Sequence, residues 1–306
     1  MKDYLDEIDR RFPVRRTDTQ KEAFREYAAN ETLSSGFTVQ TVRNDKHNNL
    51  VIGNPEEASV VFTAHYDTPR QAVLPNLMIP LNPVLKYTWV LIPLFAMLAL
   101  AIWAASVIRD MTGLTGVARR LVFVGAYLLI YFGLFRLLFW GPANKHNRND
   151  NTSGAAAVLT LCRKLAGNSR TAFILFDNEE KGKKGSKAYA QAFPDIRSNR
   201  LVVNMDCVGN GNNWIVSASE AAMNDPMFAA LAEALKRIDA NVYSSRKASL
   251  NSDQKNFEKG VGICACLHSK RIGFYTPRIH TRHDTVASSD NILRLSDSLA
   301  EFAEQV

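Results

Sequence analysis

The stretch "ILFDNEEKGKKGS", residues 174–186, joins an apolar strand to two adjacent glutamates and then to a basic segment interrupted by glycines. The like charges of Glu179 and Glu180 repel each other, and neither carboxylate leaves water without a positive partner. A solvated turn is the ordinary interpretation of such a pair. The alternative is a metal site in which one carboxylate binds the ion and its neighbour handles a proton, and the rest of the chain decides between them.

This stretch lies in a chain where apolar strands alternate with helices. The runs "TAFILF" (171–176) and "LVVNM" (201–205) are apolar throughout, which is typical of strands buried on both faces of a sheet. Such alternation predicts an α/β sandwich. Further strands are predicted at 37–42, 48–53, 59–64 and 262–267, and helices at 19–33, 153–166, 225–238, 252–258 and 289–304.

Composition limits the classes of function. The 306 residues allow one large domain with an appendage, and the net charge of +7 comes from scattered Lys and Arg residues. Because no nucleic-acid motif accompanies these charges, nucleic acid is not expected as a partner, and an anionic membrane surface fits the basic balance better. The four cysteines show no disulfide framework and suit a reducing compartment; Cys264 and Cys266 are expected to be buried thiols.

One region is too apolar for a soluble domain. Residues 87–108 contain no charged side chain, and residues 121–140 contain only Arg136, so each segment can cross a bilayer core of ~30 Å as a helix. Two such segments in tandem predict a transmembrane hairpin. A pair of buried core helices and a hydrophobic dimerisation hairpin are the alternatives, and the hairpin could also mediate oligomer formation.

The hairpin divides the chain. We expect a discontinuous catalytic domain (1–70 and 141–306) and an inserted hydrophobic segment (71–140), because an even number of crossings returns the chain to the side that it left. The N-terminal sequence "MKDYLDEIDRRFPVRR" has no signal-peptide core, which favours a catalytic domain on the cytoplasmic side of the cell membrane. The arginines between the two segments oppose this orientation under the positive-inside tendency.

Acidic and imidazole side chains follow the apolar runs. In an open α/β sheet, ligands bind at the carboxyl ends of the strands. Any one of these side chains alone is weak evidence, but five groups at one edge of a sheet predict a metal site. The groups are His65 with Asp67, Asp150, Asp177 with Glu179 and Glu180, Asp206, and His280 with His283 and Asp284.

The residue types suit a pair of divalent ions. Two ions ~3.5–4 Å apart need one carboxylate that offers an oxygen to each, together with imidazole and carboxylate ligands on each side. These donors fit zinc. Consecutive glutamates then have separate roles, since one binds a metal while Glu179 accepts a proton from the attacking water. Gly182 and Gly185 let the chain turn sharply into the next helix.

Five motifs, in family order, resemble the M28 metallopeptidases. They are "AHYDT" (64–68), "NDNTSGAA" (149–156), "EEKGKKGS" (179–186), "NMDCVG" (204–209) and "HTRHDT" (280–285). The resemblance implies a three-layer α/β sandwich with a central mixed, mostly parallel sheet of the zinc-exopeptidase type. About eighty residues separate the first two motifs, where the family usually has a short loop, and they contain the hydrophobic hairpin.

The resemblance also implies roles for individual residues. His65 and Asp206 would hold one zinc ion, Glu180 and His280 the other, and Asp150 would bridge them. Asp67 would support His65, Glu179 would be the general base, and His280 is preferred over His283 as the ligand. Ser252 and Asp253, in a segment similar to one beside the family's pocket, are candidate substrate-binding residues, and Tyr275 is the candidate oxyanion donor.

The predicted function is therefore that of a membrane-tethered di-zinc exopeptidase that removes N-terminal residues from peptides. A glutaminyl-cyclase-like transferase with one zinc ion is the first alternative. A non-catalytic membrane protein on the same fold is the second, although such a protein has no use for the retained base and ligands. Carboxypeptidase and amidohydrolase specificities stay open.

Overall fold

The protein, described here over residues 2–306 of a computed structural model, is built around a ten-stranded mixed sheet. Its strands are β1 (Val39–Asn44), β2 (His47–Ile52), β3 (Val60–His65), β4 (Asn76–Met78), β5 (Thr171–Phe176), β6 (Leu201–Met205), β7 (Asn213–Ala218), β8 (Asn241–Ser244), β9 (Gly260–Ser269) and β10 (Gly273–Ile279).

The strand order is β1-β2-β5-β3-β6-β9-β10-β4, with β7 beside β9 and β8 beside β7. The four central strands β5, β3, β6 and β9 run parallel, and antiparallel pairs flank them on both sides. In the centre, His65 lies opposite Phe176, so β3 and β5 end at the same level. The carboxyl ends of the parallel strands therefore share one edge, which is the edge where the sequence predicts the site.

Helices cover both faces of the sheet. Every residue of β3 is buried; Phe62 packs into the larger core cluster, whereas its neighbour Val61 packs into the smaller one on the opposite face. This alternation explains why the central strands are apolar throughout. The helices are α1 (Tyr4–Arg11), α2 (Asp18–Leu33), α3 (Pro83–Met111), α4 (Gly116–Phe139), α5 (Gly154–Lys164), α6 (Lys184–Ala192), α7 (Pro194–Asn199), α8 (Glu220–Met223), α9 (Phe228–Lys236) and α10 (Ser289–Gln305).

One helix prediction is wrong. The segment 252–258 forms only a 3₁₀ turn over Asp253–Asn256, and Phe257 is already extended. Its hydrogen bonds span three residues, as in the bond from the Phe257 N–H to the Gln254 carbonyl. Strand β9 begins at Gly260, so the chain has no length in which to complete an α-helical turn.

The two apolar segments form long helices that pack against each other. Helix α3 has 29 residues and α4 has 24, with mean hydropathies of 2.4 and 2.1 over their most apolar windows. Only 17% of the α3 window and none of the α4 window is buried, so the remaining described chain does not cover them as core helices. By length and composition both helices are able to cross a membrane.

Candidate metal centre

The two adjacent glutamates lie in a short turn between β5 and α6. Residues Glu179–Lys181 form one 3₁₀ turn, and Gly182 follows with φ of 93°, a conformation that favours glycine. Gly185 allows a second close contact, because a Cβ atom there would lie 2.0 Å from the carbonyl oxygen of Asp177. The expectation of a sharp turn is confirmed for Gly182, whereas Gly185 lies within α6 and allows the close approach to Asp177. The turn holds both glutamates at the sheet edge.

Asp67 fixes this turn to the end of β3. Its two carboxylate oxygens accept hydrogen bonds from the backbone N–H groups of Glu179 over 2.9 Å and of Glu180 over 3.3 Å. The Asp67 backbone carbonyl lies 3.2 Å from Nδ1 of His65. That contact leaves Nε2 of His65 directed at the cluster, as a metal-binding imidazole requires. Asp67 therefore positions the imidazole and the glutamate pair together.

Asp150 lies between two imidazoles. Its Oδ1 is 3.5 Å from Nε2 of His65, and its Oδ2 is 3.0 Å from Nε2 of His280. Asp206 lies beyond His65, with 3.9 Å between its Oδ1 and His65 Nε2, and Glu180 lies beyond His280, with 3.3 Å between its Oε2 and His280 Nε2. One carboxylate thus faces two separate pairs of nitrogen and oxygen donors.

The donors of this cluster fit metal ions. Three groups have all their donor atoms within 4.8 Å of one another: His65, Asp150 and Asp206 in the first, Asp150, Glu180 and His280 in the second, and His65, Glu179 and Glu180 in the third. Three of these residues have buried atoms without a hydrogen-bond partner among the described residues, namely His65 Nε2, Asp206 Oδ1 and Glu180 Oε1. Buried polar atoms left without partners are costly, and cations bound by these donor groups would satisfy them.

Burial and neighbouring charges shift the pKa values of the side chains in the cluster. Burial raises the pKa of Glu180 to about 8, and burial also raises the pKa of Glu179 well above its usual range, with Asp253 acting in the same direction. Burial opposes protonation of His280, but the carboxylates of Glu180 and Asp150 outweigh it and raise the pKa of His280 to about 10. A divalent cation bound among these side chains would favour their unprotonated forms.

Asp284 holds the Asp150 loop, a role that the sequence did not reveal. Its carboxylate accepts hydrogen bonds from the backbone N–H groups of Asn149 over 3.2 Å and Asp150 over 3.0 Å. Burial raises the pKa of Asp284 to about 8, with Asp150 acting in the same direction. The position of Asp284, four residues after His280 in the last motif, is the sequence feature that could have indicated this role.

Arg15 is a second residue that the sequence analysis missed. Its fully buried guanidinium donates to the carbonyl of Phe12 over 2.7 Å, to Thr152 Oγ1 over 3.0 Å and to Asn147 Oδ1 over 3.2 Å, and also to the carbonyl of Tyr66. Tyr66 precedes Asp67 in the chain, and Asn147 and Thr152 lie on either side of Asp150. Arg15 therefore joins the two loops that carry Asp67 and Asp150.

The remaining predicted site residues are distributed as follows. Ser252 lines a cavity of about 250 Å³ beside the cluster, and its hydroxyl accepts a hydrogen bond from Asn204 over 3.1 Å. Asp253 is buried and accepts a hydrogen bond from Ser186. Tyr275 lies in β10 opposite Leu267. It lines neither this cavity nor a second, larger cavity that borders the cluster on the side of the hairpin. The oxyanion role of Tyr275 therefore has no support in this geometry.

The two histidines of the last motif lie in different surroundings. His280 faces Asp150 and Glu180, whereas His283 is exposed and accepts from its neighbour Arg282. The cluster thus contains the preferred histidine.

Cys264 and Cys266 are buried free thiols with 3.6 Å between their sulfurs, as the alternation of side chains along β9 predicts.

A cavity of about 250 Å³ opens onto the cluster. Asp150, Glu179, Glu180, Asp206 and His280 line it together with polar side chains from the turn that precedes β9. It is smaller than a typical ligand pocket of ~300–1,000 Å³. A cavity of this size and polarity suits one small end of a substrate.

The mixed α/β fold and the donor types of this cluster fit the class of metal-dependent α/β enzymes. Residues 143–303 match the model of peptidase family M28, so the chain belongs to that family. A comparison with curated proteins gives no match.

Several solved structures have a similar fold. A glutaminyl cyclase from Porphyromonas gingivalis is 14% identical over 99% of this chain and 96% of its own, with a TM-score of 0.60. A Zn-dependent exopeptidase from Parabacteroides distasonis is 13% identical over 98% of this chain and 95% of its own, with a TM-score of 0.57. LapB from Legionella pneumophila is 15% identical over 98% and 69% of the two chains, with a TM-score of 0.58. At these identities the likeness is one of fold.

Proposed function

We propose that this M28-family protein is a membrane-anchored exopeptidase that uses two zinc ions to remove N-terminal residues from peptides. The observation that carries the proposal is the position of Asp150, whose two oxygens face His65 and His280 separately over 3.5 and 3.0 Å. His65 and Asp206 would hold one ion and Glu180 and His280 the other. A single-ion site would leave one of these donor pairs buried and unsatisfied.

Zinc ions, when bound, act as Lewis acids toward the scissile carbonyl and activate water at neutral pH. The protein supplies the proton transfer. Glu179 borders the cavity beside this donor set and, in the proposed mechanism, accepts a proton from the attacking water and passes it to the nitrogen of the leaving amine as the C–N bond breaks. Asp67 holds the backbone of Glu179, so the carboxylate keeps its direction during the transfer.

The small cavity supports action at a chain end. Its volume of about 250 Å³ admits little more than a terminal residue. Lys86 and Lys183 line the same cavity and would suit a terminal carboxylate, which favours carboxypeptidase action as the second candidate function.

Product analysis tests these assignments. Zinc-loaded protein is incubated with a tetrapeptide carrying a free N-terminus, with its N-acetyl form and with an N-terminal glutaminyl peptide. We expect release of the first amino acid from the free peptide and none from the acetylated one. Release of the last residue from the acetylated peptide would indicate a carboxypeptidase. Loss of ammonia from the glutaminyl peptide without hydrolysis would indicate a cyclase.

The membrane anchor is part of the same proposal. Helices α3 and α4 expose large apolar side chains along most of their length, including Phe95, Trp103, Leu129 and Phe132. At ~1.5 Å per residue, the 29 residues of α3 extend beyond a bilayer core of ~30 Å. Both ends of the hairpin return to one place, where the Gly141 N–H donates to the Gln71 carbonyl over 2.9 Å and the Gln71 N–H donates to the Pro142 carbonyl over 2.8 Å. We place the catalytic domain on the cytoplasmic side.

A further inference from the structure

A second cavity, of about 620 Å³, lies between the metal cluster and the hairpin. Glu180, His280 and Asn76 line both this cavity and the smaller one, so the two meet at the candidate metal ligands. Its volume falls within the ~300–1,000 Å³ typical of ligand pockets. A molecule bound here would extend from the cluster towards the apolar helices.

The segment that leads into the hairpin fixes this cavity beside the cluster. The Ala72 N–H donates to the carbonyl of His280 over 2.7 Å, and the Val73 N–H donates to the carbonyl of Leu138 near the end of α4 over 2.9 Å. The indole N–H of Trp89 donates to the carbonyl of Pro75 over 2.9 Å. The hairpin thus contacts the catalytic domain through backbone groups next to a candidate ligand.

The cavity has an apolar wall and a basic group of side chains. Its hairpin side chains are all apolar: Trp89, Val90, Pro93, Phe135, Phe139 and Trp140. Arg16, Arg70 and Lys181 line it as well, and none of the three is paired with a carboxylate within the described residues 2–306. Such a site favours a ligand with an apolar body and an anionic end.

We propose that this cavity binds the part of the substrate that follows the cleaved bond, and that the substrate is a short apolar peptide with a free C-terminal carboxylate. The inference rests on the proposed exopeptidase function. The first residue lies in the small cavity, the apolar residues lie against the hairpin wall, and the carboxylate meets Arg16, Arg70 and Lys181. The hairpin then serves substrate selection as well as anchoring.

A peptide pair tests the apolar wall. We compare kcat/KM for Ala-Leu-Leu-Leu and Ala-Ser-Ser-Ser with zinc-loaded full-length protein in lipid nanodiscs, and expect a preference of at least about tenfold for the leucine peptide. Val90→Phe fills the cavity and brings the ratio towards one. Val107→Phe, in the same helix and 42% exposed against 43% for Val90, is the matched control and keeps the wild-type ratio. Zinc content checks that both variants fold.

A second pair tests the basic group. The free acid Ala-Leu-Leu-Leu should have a kcat/KM about tenfold above that of its C-terminal amide, since a charged hydrogen bond is lost in the amide. Arg70→Gln should reduce this difference, whereas Arg120→Gln, in the exposed start of α4, should leave it unchanged.

Binding is also measured without turnover. In zinc-free protein, Ala-Leu-Leu-bromophenylalanine should quench the fluorescence of Trp89 and Trp140 in the wild type, and less in Val90→Phe. Hydrolysis of both peptides at equal rates, with no quenching, would overturn this inference and leave the exopeptidase proposal standing. Quenching with no hydrolysis of any peptide would instead overturn the exopeptidase proposal. Phospholipid that copurifies with wild type but not with Val90→Phe, without a peptide preference, would assign the cavity to a lipid.

Discussion

The carboxylate of Asp67 accepts a hydrogen bond from the backbone N–H of Glu179 over 2.9 Å. Its second oxygen accepts from Glu180, and its backbone carbonyl contacts the ring of His65. A single residue after β3 therefore orients the proposed base and one candidate ligand for each metal. The alignment of the site depends on a residue that binds neither metal nor substrate.

Asp67→Asn should lower kcat/KM by about 10–100-fold, the usual cost of losing a residue that supports metal ligands. The amide offers one acceptor oxygen instead of two and places an N–H₂ group opposite a backbone N–H. Steady-state kinetics at saturating zinc measure the loss. Asp239→Asn, on an exposed turn, is the matched control and should behave as wild type. Wild-type rates in Asp67→Asn would contradict the positioning role.

Substitutions of the two adjacent glutamates should have different effects. Glu179→Gln keeps the size of the side chain but cannot accept a proton, so turnover should fall by about 10²–10⁴-fold while zinc content stays at the wild-type level. Glu180→Gln should lower zinc content, since the variant loses a charged donor. Parallel rate and metal measurements on both variants separate the roles. Near-full activity in Glu179→Gln would show that another group is the base.

Arg15→Ala should destabilise the fold by at least about 3 kcal/mol, because several buried acceptors lose their donor at a cost of about 1–3 kcal/mol each. Burial lowers the pKa of Arg15 to about 10, yet the side chain keeps its four partners. Urea denaturation in detergent measures the change. The control is Arg11→Ala at an exposed ion pair with Glu7, which should cost no more than about 1 kcal/mol. Equal stabilities for the two variants would refute the role given to Arg15.

The hairpin should keep the protein in the membrane fraction. Salt washing should not release it, since the exposed surfaces of α3 and α4 are apolar rather than charged, and detergent should. Protease added to wall-stripped cells should leave the catalytic domain intact if it faces the cytoplasm. Protein recovered in the soluble fraction without detergent would contradict the anchor. Digestion from outside would reverse the orientation only.

The sequence predicts those parts of the site that are fixed by strand ends. His65, Glu179 and Asp206 each come directly or closely after an apolar run, and parallel neighbours in register bring the ends of such runs together. Length and composition were also sufficient to predict the hairpin helices, whose bounds differ from those of the predicted segments by at most five residues. These features depend on local pattern, which a single sequence contains.

Features that depend on contacts between distant segments were not predictable. Arg15 reaches Thr152, 137 residues away, and nothing in its local sequence distinguishes it from the exposed arginines nearby. Strand β4 is only three residues long and pairs with β10 across the insertion, so neither it nor the second cavity leaves a periodic signal. Tyr275 was chosen by residue type and proximity to a strand end, and pairing with β9 decides its position.

The number of metal ions bound per chain tests the central claim most directly. Purified protein dialysed against zinc is analysed by elemental analysis, together with Asp150→Ala and His280→Ala. We predict two zinc ions in the wild type, loss of both in Asp150→Ala because the shared carboxylate is gone, and preferential loss of one in His280→Ala. At most one ion in the wild type under zinc excess, with equal losses in both variants, would contradict the two-metal site bridged by Asp150.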